Sequence, residues 1–276
     1  MRDLKQAAPA RTGAAATTRP RARCRAVLRV MTYNVHSCRG TDGRLSPERI
    51  ASVIAAARPD VVALQELDMG RARTNGTDQA HAVARELGMR FHFHPALHVE
   101  EEQYGDAVLS ALPMRLVKAG PLPGLARRPS LEPRGALWVA VDLGGGTELQ
   151  VFNTHLGLRA RERLAQAAAL LGDGWMGHPR CAGRAAVLLG DFNAVSRSPA
   201  YKLLAGRLRD AQAALPGHRP RPTFPSRWPV LRIDHAFLGG GVRALRAEVR
   251  RGPEERAASD HLPLVVDLAV QGGPGI

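Results

Sequence analysis

The chain of 276 residues contains few cysteines, few lysines and few aromatic side chains. Its three cysteines, Cys24, Cys38 and Cys181, form no Cys-x-x-Cys pair. This argues against a disulfide framework or a structural zinc site and suits a reducing cytosol. No apolar run approaches the roughly 18 residues of a membrane span, and the opening residues lack the apolar core of a signal peptide. We therefore expect a cytoplasmic protein without a transmembrane segment.

Arginine supplies nearly all of the positive charge, because Lys5, Lys118 and Lys202 are the only lysines. This bias, with abundant Ala, Gly and Pro, suggests GC-rich coding and a bacterial source. Residues 1–30 hold eight basic side chains and one acidic one, so half of the formal net charge of +14 lies in the rest of the chain. A basic surface suits a phosphate-bearing partner but does not distinguish nucleic acid, phospholipid and small phosphate esters.

The pattern along the chain predicts a disordered basic tail over residues 1–25, one mixed α/β domain over 26–270, and a short tail over 271–276. Apolar periodicity and turn residues define the elements of this domain. The predicted strands are Leu28–Asn34, Asp60–Gln65, Ala107–Leu112, Gly135–Leu143, Glu148–Thr154, Ala185–Leu189, Arg232–Leu238 and Leu262–Val270. Helices are predicted from Pro47 to the residues before Pro59, over Thr77–Leu87 and Arg159–Leu171, and from Pro199. The proline-rich residues 215–230 are predicted to form a loop.

Polar and ionisable residues stand at the ends of these apolar strands. Such groups are costly to bury unless they are paired or bind a metal. Any one of them alone could cap a turn or lie in solvent, but six sites in one chain favour a function. The sites are Asn34, Glu66, Asn153 to His155, Asp191 to Asn193, Asp234 with His235, and Ser259 to His261.

These residues belong to segments that resemble, in order, the motifs of the endonuclease/exonuclease/phosphatase superfamily. The segments are Met31-Thr-Tyr-Asn34-Val-His36, Leu64-Gln-Glu66, Asn153-Thr-His155-Leu156, Gly190-Asp-Phe-Asn193, Arg232-Ile-Asp234-His235 and Ser259-Asp-His261-Leu-Pro263. The resemblance covers residues 28–268 and implies an α/β fold of the DNase I-like type. In this fold, helices flank a two-sheet β-sandwich in four layers, and the site lies at one end of the sandwich.

The resemblance also implies a site that binds Mg²⁺ or Mn²⁺ and hydrolyses a phosphate ester in a monomeric enzyme. Glu66 is the best candidate ligand, with Asn34 beside it and Asp260 either completing the ligand set or supporting it from behind, since Mg²⁺ prefers oxygen donors. The remaining roles are carried over from the family motifs. Asp191 orients or deprotonates the attacking water, Asn193 contacts the phosphate, His155 donates to a phosphoryl or leaving oxygen, and His261 bonds the phosphate with Asp234 as its partner. Whether the histidine or the aspartate is the base stays open.

Other positions are predicted to be secondary. Asp106 stands where the family usually has Asn; this extra carboxylate could alter metal or phosphate contacts or cap a turn, and we expect the turn. Arg134, in a Glu-x-Arg element with Glu132, is predicted either to contact substrate phosphate or to form a surface ion pair. His92 and His94 alternate with two phenylalanines, which indicates one strand face rather than a metal site.

Three functions remain open from the sequence. A phosphodiesterase or nuclease fits the resemblance and the basic charge. A lipid or small-molecule phosphoesterase fits the 4% aromatic content, because single-stranded nucleic acid usually needs aromatic stacking. A non-catalytic basic nucleic-acid-binding protein is the third, although a binder gains nothing from clustered carboxylates.

Overall fold

The computed structural model describes residues 25–99, 102–125 and 131–271. The predicted N-terminal tail lies outside these residues except for Arg25, and the C-terminal tail lies outside them except for Gln271. Twelve strands and five α-helices occur in the described ranges. The strands are β1 (Arg25–Asn34), β2 (Val61–Met69), β3 (Arg90–Val99), β4 (Glu102–Ser110), β5 (Met114–Pro121), β6 (Gly135–Asp142), β7 (Glu148–His155), β8 (Ala186–Asp191), β9 (Arg209–Asp210), β10 (Asp234–Gly239), β11 (Val242–Val249) and β12 (Leu264–Gln271). The helices are α1 (Pro47–Ala57), α2 (Gln79–Leu87), α3 (Ala160–Leu171), α4 (Pro199–Ala205) and α5 (Pro253–Ala258).

The strands form two six-stranded sheets, with the orders β11-β12-β1-β2-β4-β3 and β5-β6-β7-β8-β10-β9. Each sheet has one parallel pair at its centre, β1 with β2 and β7 with β8. The other pairs are antiparallel. Because parallel strands end at the same edge of a sheet, the residues that follow each central pair are brought together.

Three apolar cores separate four layers. The two sheets pack face to face through aliphatic side chains such as Val30, Val61 and Val139. Ile50 of α1 belongs to the core on the outer face of the first sheet, and Leu170 of α3 to the core on the outer face of the second. This arrangement confirms the predicted two-sheet sandwich flanked by helices.

The predicted capping residues begin the helices. The Ser46 side chain accepts a hydrogen bond from the backbone of Arg49 and Pro47 opens α1, as the sequence predicts. Asp78 caps α2, which therefore starts two residues after the predicted Thr77, and Gly88 ends it with a positive φ of 62°. No helix in the described residues is long and apolar enough to cross a membrane.

Four elements were not predicted: β5, β9, β11 and α5. The three strands lie at sheet edges, where one side of the strand has no partner and charged residues interrupt the apolar pattern, and β9 has only two residues. The helix α5 has only six residues, too few for a helical period to be seen in the sequence.

Candidate active site

The ends of the two central strand pairs meet at one end of the sandwich. Asn34, the last residue of β1, donates from Nδ2 to Glu66 Oε1 at 2.8 Å in the same sheet. The same Nδ2 donates to Asp191 Oδ2 at 3.0 Å, at the end of β8 in the other sheet. One amide therefore joins carboxylates from both sheets.

A cleft of about 430 Å³ opens at this end of the sandwich. Six of the eight predicted site residues line it: Glu66, His155, Asp191, Asn193, Asp260 and His261. The other two, Asn34 and Asp234, are fully buried and hydrogen bond to cleft residues. The structure thus brings all eight predicted residues into one constellation.

A β-bulge directs Glu66 into the cleft. The register of β2 against β4 shifts between Leu64 and Leu67, and Glu66 has a φ of 62°. Positive φ is uncommon for a residue with a side chain and clusters at functional sites. The bulge separates Glu66, which is partly exposed, from the buried Gln65. The sequence predicted Glu66 at a strand exit, whereas it lies inside the longer β2.

Gln65 joins the two sheets below the cleft, a role that the sequence did not reveal. Its Nε2 donates to Asn153 Oδ1 of β7 at 2.7 Å. The amide of Asn153 in turn donates to the carbonyls of Leu64 and Ala107 at 2.8 Å each. All of these groups are buried, so the network fixes the separation of the sheets under the site.

Asn34 presents its NH₂ group, and not its carbonyl oxygen, to the two carboxylates. The carbonyl oxygen accepts from the backbone N–H of His36 at 3.1 Å. A hydroxyl from Ser259, at the start of the Ser-Asp-His motif, donates to the Asn34 backbone carbonyl at 2.8 Å. A ligand role for Asn34 would require its amide to turn over, whereas the arrangement shown positions Glu66 and Asp191.

His155 is held by the buried Arg134. Arg134 Nη1 lies 2.8 Å from His155 Nδ1 and 2.9 Å from Glu132 Oε1. Because a guanidinium only donates, Nδ1 must accept, and the proton of the neutral imidazole lies on Nε2. Burial, followed by the charges of Arg134 and His261, lowers the pKa of His155 well below its usual value. His155 is therefore a neutral N–H donor that faces the cleft.

Arg134 lines the cleft, so its predicted contact with substrate phosphate stays a prediction. It does pair with Glu132, but it is only 8% exposed and so is not a surface residue. Its position behind His155 shows that it sets the tautomer of that imidazole.

Asp191 occupies the centre of the site. Its Oδ1 accepts from the backbone of Asn193 at 2.8 Å, and its Oδ2 lies 3.5 Å from His155 Nε2 and 3.6 Å from His261 Nε2. Burial raises the pKa of Asp191, and the charge of His261 opposes that rise. Gly190 allows this packing, since a Cβ there would lie 2.0 Å from the carbonyl oxygen of Thr154.

Asn193 faces the cleft in a left-handed backbone conformation with a φ of 48°. Its Nδ2 donates to the Leu156 carbonyl at 2.9 Å and lies 3.1 Å from His155 Nε2. The side-chain amide therefore stands beside the His155 donor.

His261 pairs with Asp234, as the sequence predicts. Its Nδ1 lies 3.0 Å from Asp234 Oδ2, and the hydroxyl of Thr223 also donates to that carboxylate. Burial alone would lower the pKa of His261, but Asp234 and Asp191 outweigh it and raise the pKa to about 10. The Phe224 ring lies 4.8 Å from the His261 ring and covers one side of it.

Asp106 does not cap a turn, and that prediction was wrong. It lies inside β4, paired in register with His94 of β3, and is only 3% exposed. The backbone N–H of Glu66 bonds to its carboxyl group, and burial raises its pKa to about 8. His94 itself lies in β3, which confirms the prediction of a strand there.

The residues at the mouth fit a hard divalent cation. Glu66 and Asp260 offer carboxylate oxygens with side-chain exposures of 21% and 38%. Oxygen donors of this kind suit Mg²⁺ or Mn²⁺ rather than zinc. Ligand atoms of Glu66, His155 and Asp191 lie within 4.8 Å of one another. While its Nε2 carries the proton, His155 offers no lone pair there, so the carboxylates of Glu66 and Asp191 are the candidate ligands in this group.

The cleft has further residues to which the sequence gave no role. Arg73 donates to Asp68 at 2.7 Å from both Nε and Nη2, and its guanidinium lies 5.4 Å from the centre of the Tyr104 ring. These contacts depend on which strands are neighbours, so the sequence alone does not reveal them.

The fold and site together define an α/β sandwich whose cleft combines carboxylates, imidazoles and arginine at the ends of parallel strands. A model of the Endonuclease/Exonuclease/phosphatase family matches residues 31–261, and the chain belongs to this family. This confirms the resemblance seen in the motifs.

Known proteins extend the similarity over most of the chain. The protein YbhP of Escherichia coli is 27% identical over 253 residues, which cover 87% of this chain and 96% of YbhP. An endonuclease/exonuclease/phosphatase structure from Beutenbergia cavernae is 28% identical, with a TM-score of 0.73, and the match covers 91% of this chain and 73% of that one. A mannosyl-6-phosphatase of Bacteroides thetaiotaomicron has the same fold at 21% identity, with a TM-score of 0.70 and coverage of 87% and 99%.

Proposed function

We propose that this protein is a divalent-metal-dependent hydrolase of phosphate esters and that its substrate is a phosphodiester. The observation that carries this proposal is the convergence of Glu66, His155, Asp191 and His261 on one cleft. Family membership supports hydrolysis of a phosphate ester. Phosphoryl transfer requires a positioned nucleophile and stabilisation of charge on the phosphoryl oxygens, and these groups can supply both.

Glu66 and Asp260 would hold the metal, and Asn34 positions Glu66 through the hydrogen bond at 2.8 Å. When bound, Mg²⁺ or Mn²⁺ neutralises charge on the phosphate and stabilises the leaving oxygen. Asp106 lies beneath Glu66 and bonds to its backbone N–H. The bulge and this contact together fix the direction of the Glu66 carboxylate.

Asp191 would orient the attacking water and take its proton. Hydrogen bonds from Asn34 and from the backbone of Asn193 fix both carboxylate oxygens. His261 is poorly suited to act as the base, because its Nδ1 is engaged by Asp234 and the two carboxylates favour its protonated form. We therefore assign the base to Asp191.

His155 and His261 would stabilise charge on the reacting phosphate. The Nε2 atoms of both rings flank Asp191 Oδ2 at 3.5 and 3.6 Å, so a phosphate near that carboxylate lies within reach of both. The Asn193 amide is a third donor on the same side. Donors preorganised in a buried site typically contribute a hundredfold or more to the rate.

The proposal is tested with bis(p-nitrophenyl) phosphate and p-nitrophenyl phosphate in the presence of Mg²⁺ or Mn²⁺. We expect faster hydrolysis of the diester, complete loss with excess EDTA, and recovery when metal is restored. Ala at Glu66, Asp191 or His261 should reduce kcat by orders of magnitude, whereas Glu148→Ala, at the far end of β7, should not. Preference for the monoester would favour a phosphatase. Metal-independent or absent turnover would contradict the enzyme proposal.

A further inference from the structure

A short loop contributes Phe224 to the wall of the cleft. We call residues Thr223–Leu231 the rim loop. Its base is closed by backbone hydrogen bonds in both directions between Phe224 and Leu231, at 2.8 and 3.0 Å. The Phe224 ring packs on His261, and Ser226 donates from its backbone to the Asp260 carbonyl at 2.6 Å. The loop is therefore fixed to residues of the site.

The rim loop exposes large apolar side chains along its second half and at its base. Trp228 is 81% exposed, Val230 73% and Leu231 42%. The other two tryptophans, Trp138 and Trp175, are only 1% and 4% exposed. Single exposed apolar residues are common, but a cluster that includes tryptophan on a fixed loop marks an interaction surface.

The chain on both sides of this cluster is strongly basic. Residues 211–233 contain four arginines and no Asp or Glu. Arg232 is paired with Asp210, but Arg219, Arg221 and Arg227 are exposed and have no acidic partner within the described part of the chain. The surface is thus complementary to a negatively charged partner with an apolar interior.

Another exposed residue of the cleft shows the same combination. Leu158 lines the cleft and is 69% exposed. It is followed by Arg159 and Arg161, which are also exposed. Apolar and basic side chains therefore stand together at two places on the rim.

We propose that the rim loop docks the protein on the surface of an anionic lipid bilayer. Trp228 and Val230 enter the boundary between headgroups and acyl chains, and the exposed arginines contact anionic headgroups. Tryptophan prefers this boundary, and each basic residue near an anionic surface adds to the attraction. A single-stranded nucleic acid explains the surface less well, because stacking uses aromatic rings and leaves Val230 and Leu231 without a role.

This assignment concerns a binding surface and goes beyond the proposed hydrolysis. Trp228 follows Phe224 by four residues, so their Cα atoms are at most roughly 14 Å apart. A bilayer held by the rim loop would therefore lie beside the mouth of the cleft.

The test uses the full chain and vesicles of phosphatidylcholine with or without about one-third phosphatidylglycerol, a composition chosen to give a strong anionic surface. Since Trp138 and Trp175 are buried, a blue shift of tryptophan emission on adding anionic vesicles reports Trp228. We expect this shift and its quenching by brominated acyl chains. Absence of a shift, or a Trp228-dependent response to a single-stranded oligonucleotide but not to vesicles, would overturn the proposal.

Variants separate docking from general electrostatic attraction. Trp228→Ala with Val230→Ser should weaken vesicle co-sedimentation about tenfold or more. Leu245→Ala removes another exposed apolar side chain, on β11, and should leave co-sedimentation unchanged. Arg219→Glu with Arg221→Glu should weaken it strongly, but Arg243→Glu should have little effect, since Arg243 pairs with Ala269 near the other end of β12. Residues 1–25 are present in every variant and cannot cause a difference between them.

Hydrolysis of the water-soluble bis(p-nitrophenyl) phosphate should be unchanged in the rim-loop variants. Absence of this hydrolysis in the wild-type protein would refute the proposed enzymatic activity and would leave the docking proposal untouched. Equal vesicle binding by wild type and Trp228→Ala with Val230→Ser would refute docking without affecting hydrolysis.

Discussion

Replacing Asp234 by Asn removes the charge that faces His261 while keeping the shape of the side chain. Asp234 is fully buried and does not line the cleft, so it acts on the reaction only through His261. Its Oδ2 lies 3.0 Å from His261 Nδ1. The substitution therefore tests whether a protonated, correctly oriented His261 contributes to turnover.

The size of the effect follows from this distance. Two unit charges 3.0 Å apart interact by about 5 kcal/mol at an effective dielectric constant of about 20. After the substitution, the side-chain carbonyl at position 234 can still accept the hydrogen bond from His261 Nδ1. We therefore expect a loss of about 3 kcal/mol of transition-state stabilisation. This corresponds to about a 100-fold lower kcat. KM should change by less than about threefold, because Asp234 makes no contact in the cleft.

The assay is steady-state hydrolysis of bis(p-nitrophenyl) phosphate, with titration of the His261 ring followed by NMR in the metal-free protein. Because Asp234 raises the pKa of His261, Asp234→Asn should lower it. Asp210→Asn is a matched control, since Asp210 is a buried aspartate 3.2 Å from His235 Nδ1 outside the cleft. A kcat for Asp234→Asn near that of wild type, or an equal fall in the control, would refute the reasoning.

Three further predictions concern the framework of the site. Gln65→Leu should lower the free energy of unfolding by about 1–3 kcal/mol in urea titrations, because it leaves the buried side-chain carbonyl of Asn153 without a donor. An unchanged free energy would contradict the role of Gln65 in joining the sheets. Gly190→Ala should lower Tm strongly in calorimetry, since the new Cβ would lie 2.0 Å from the Thr154 carbonyl oxygen. A Tm like that of wild type would show that β7 and β8 can move apart without cost. Burial opposes ionisation of Asp210, but His235 and Arg232 outweigh it and hold its pKa well below the usual value. Its contribution to stability is therefore present above about pH 4 and lost at lower pH, so Asp210→Asn should flatten the fall in the urea midpoint between about pH 5 and pH 2; parallel curves would contradict this.

Much of the fold was predictable because buried strands and capped helices leave strong local patterns. The run from Asp60 to Gln65 indicated β2, and Ser46 with Pro47 indicated the start of α1. The edge strands β5 and β11 were not predicted, because solvent on one side of each strand permits charged residues that break the apolar pattern. Asp106 was misplaced because the apolar run begins after it, although β4 starts earlier at Glu102.

The members of the site were also predictable, but their relations were not. Order along the chain and position at strand ends predicted that the residues from Asn34 to His261 would come together, and the structure places them at one cleft. The bulge at Glu66 depends on the partner strand β4. The tautomer of His155 depends on the distant Arg134, and these contacts exist only once strands from different parts of the chain are adjacent.

The most direct measurement for the metal-site hypothesis is Mn²⁺ binding to wild type, Glu66→Gln and Glu148→Gln, followed by the EPR signal of free Mn²⁺. Glu66 is a partly exposed carboxylate at the mouth of the cleft, whereas Glu148 begins β7 at the far end and pairs with Arg115. We expect wild type and Glu148→Gln to bind Mn²⁺ alike, with Mg²⁺ competing, and Glu66→Gln to bind at least about tenfold more weakly. Equal Mn²⁺ affinity of wild type and Glu66→Gln would contradict a metal site in this cleft.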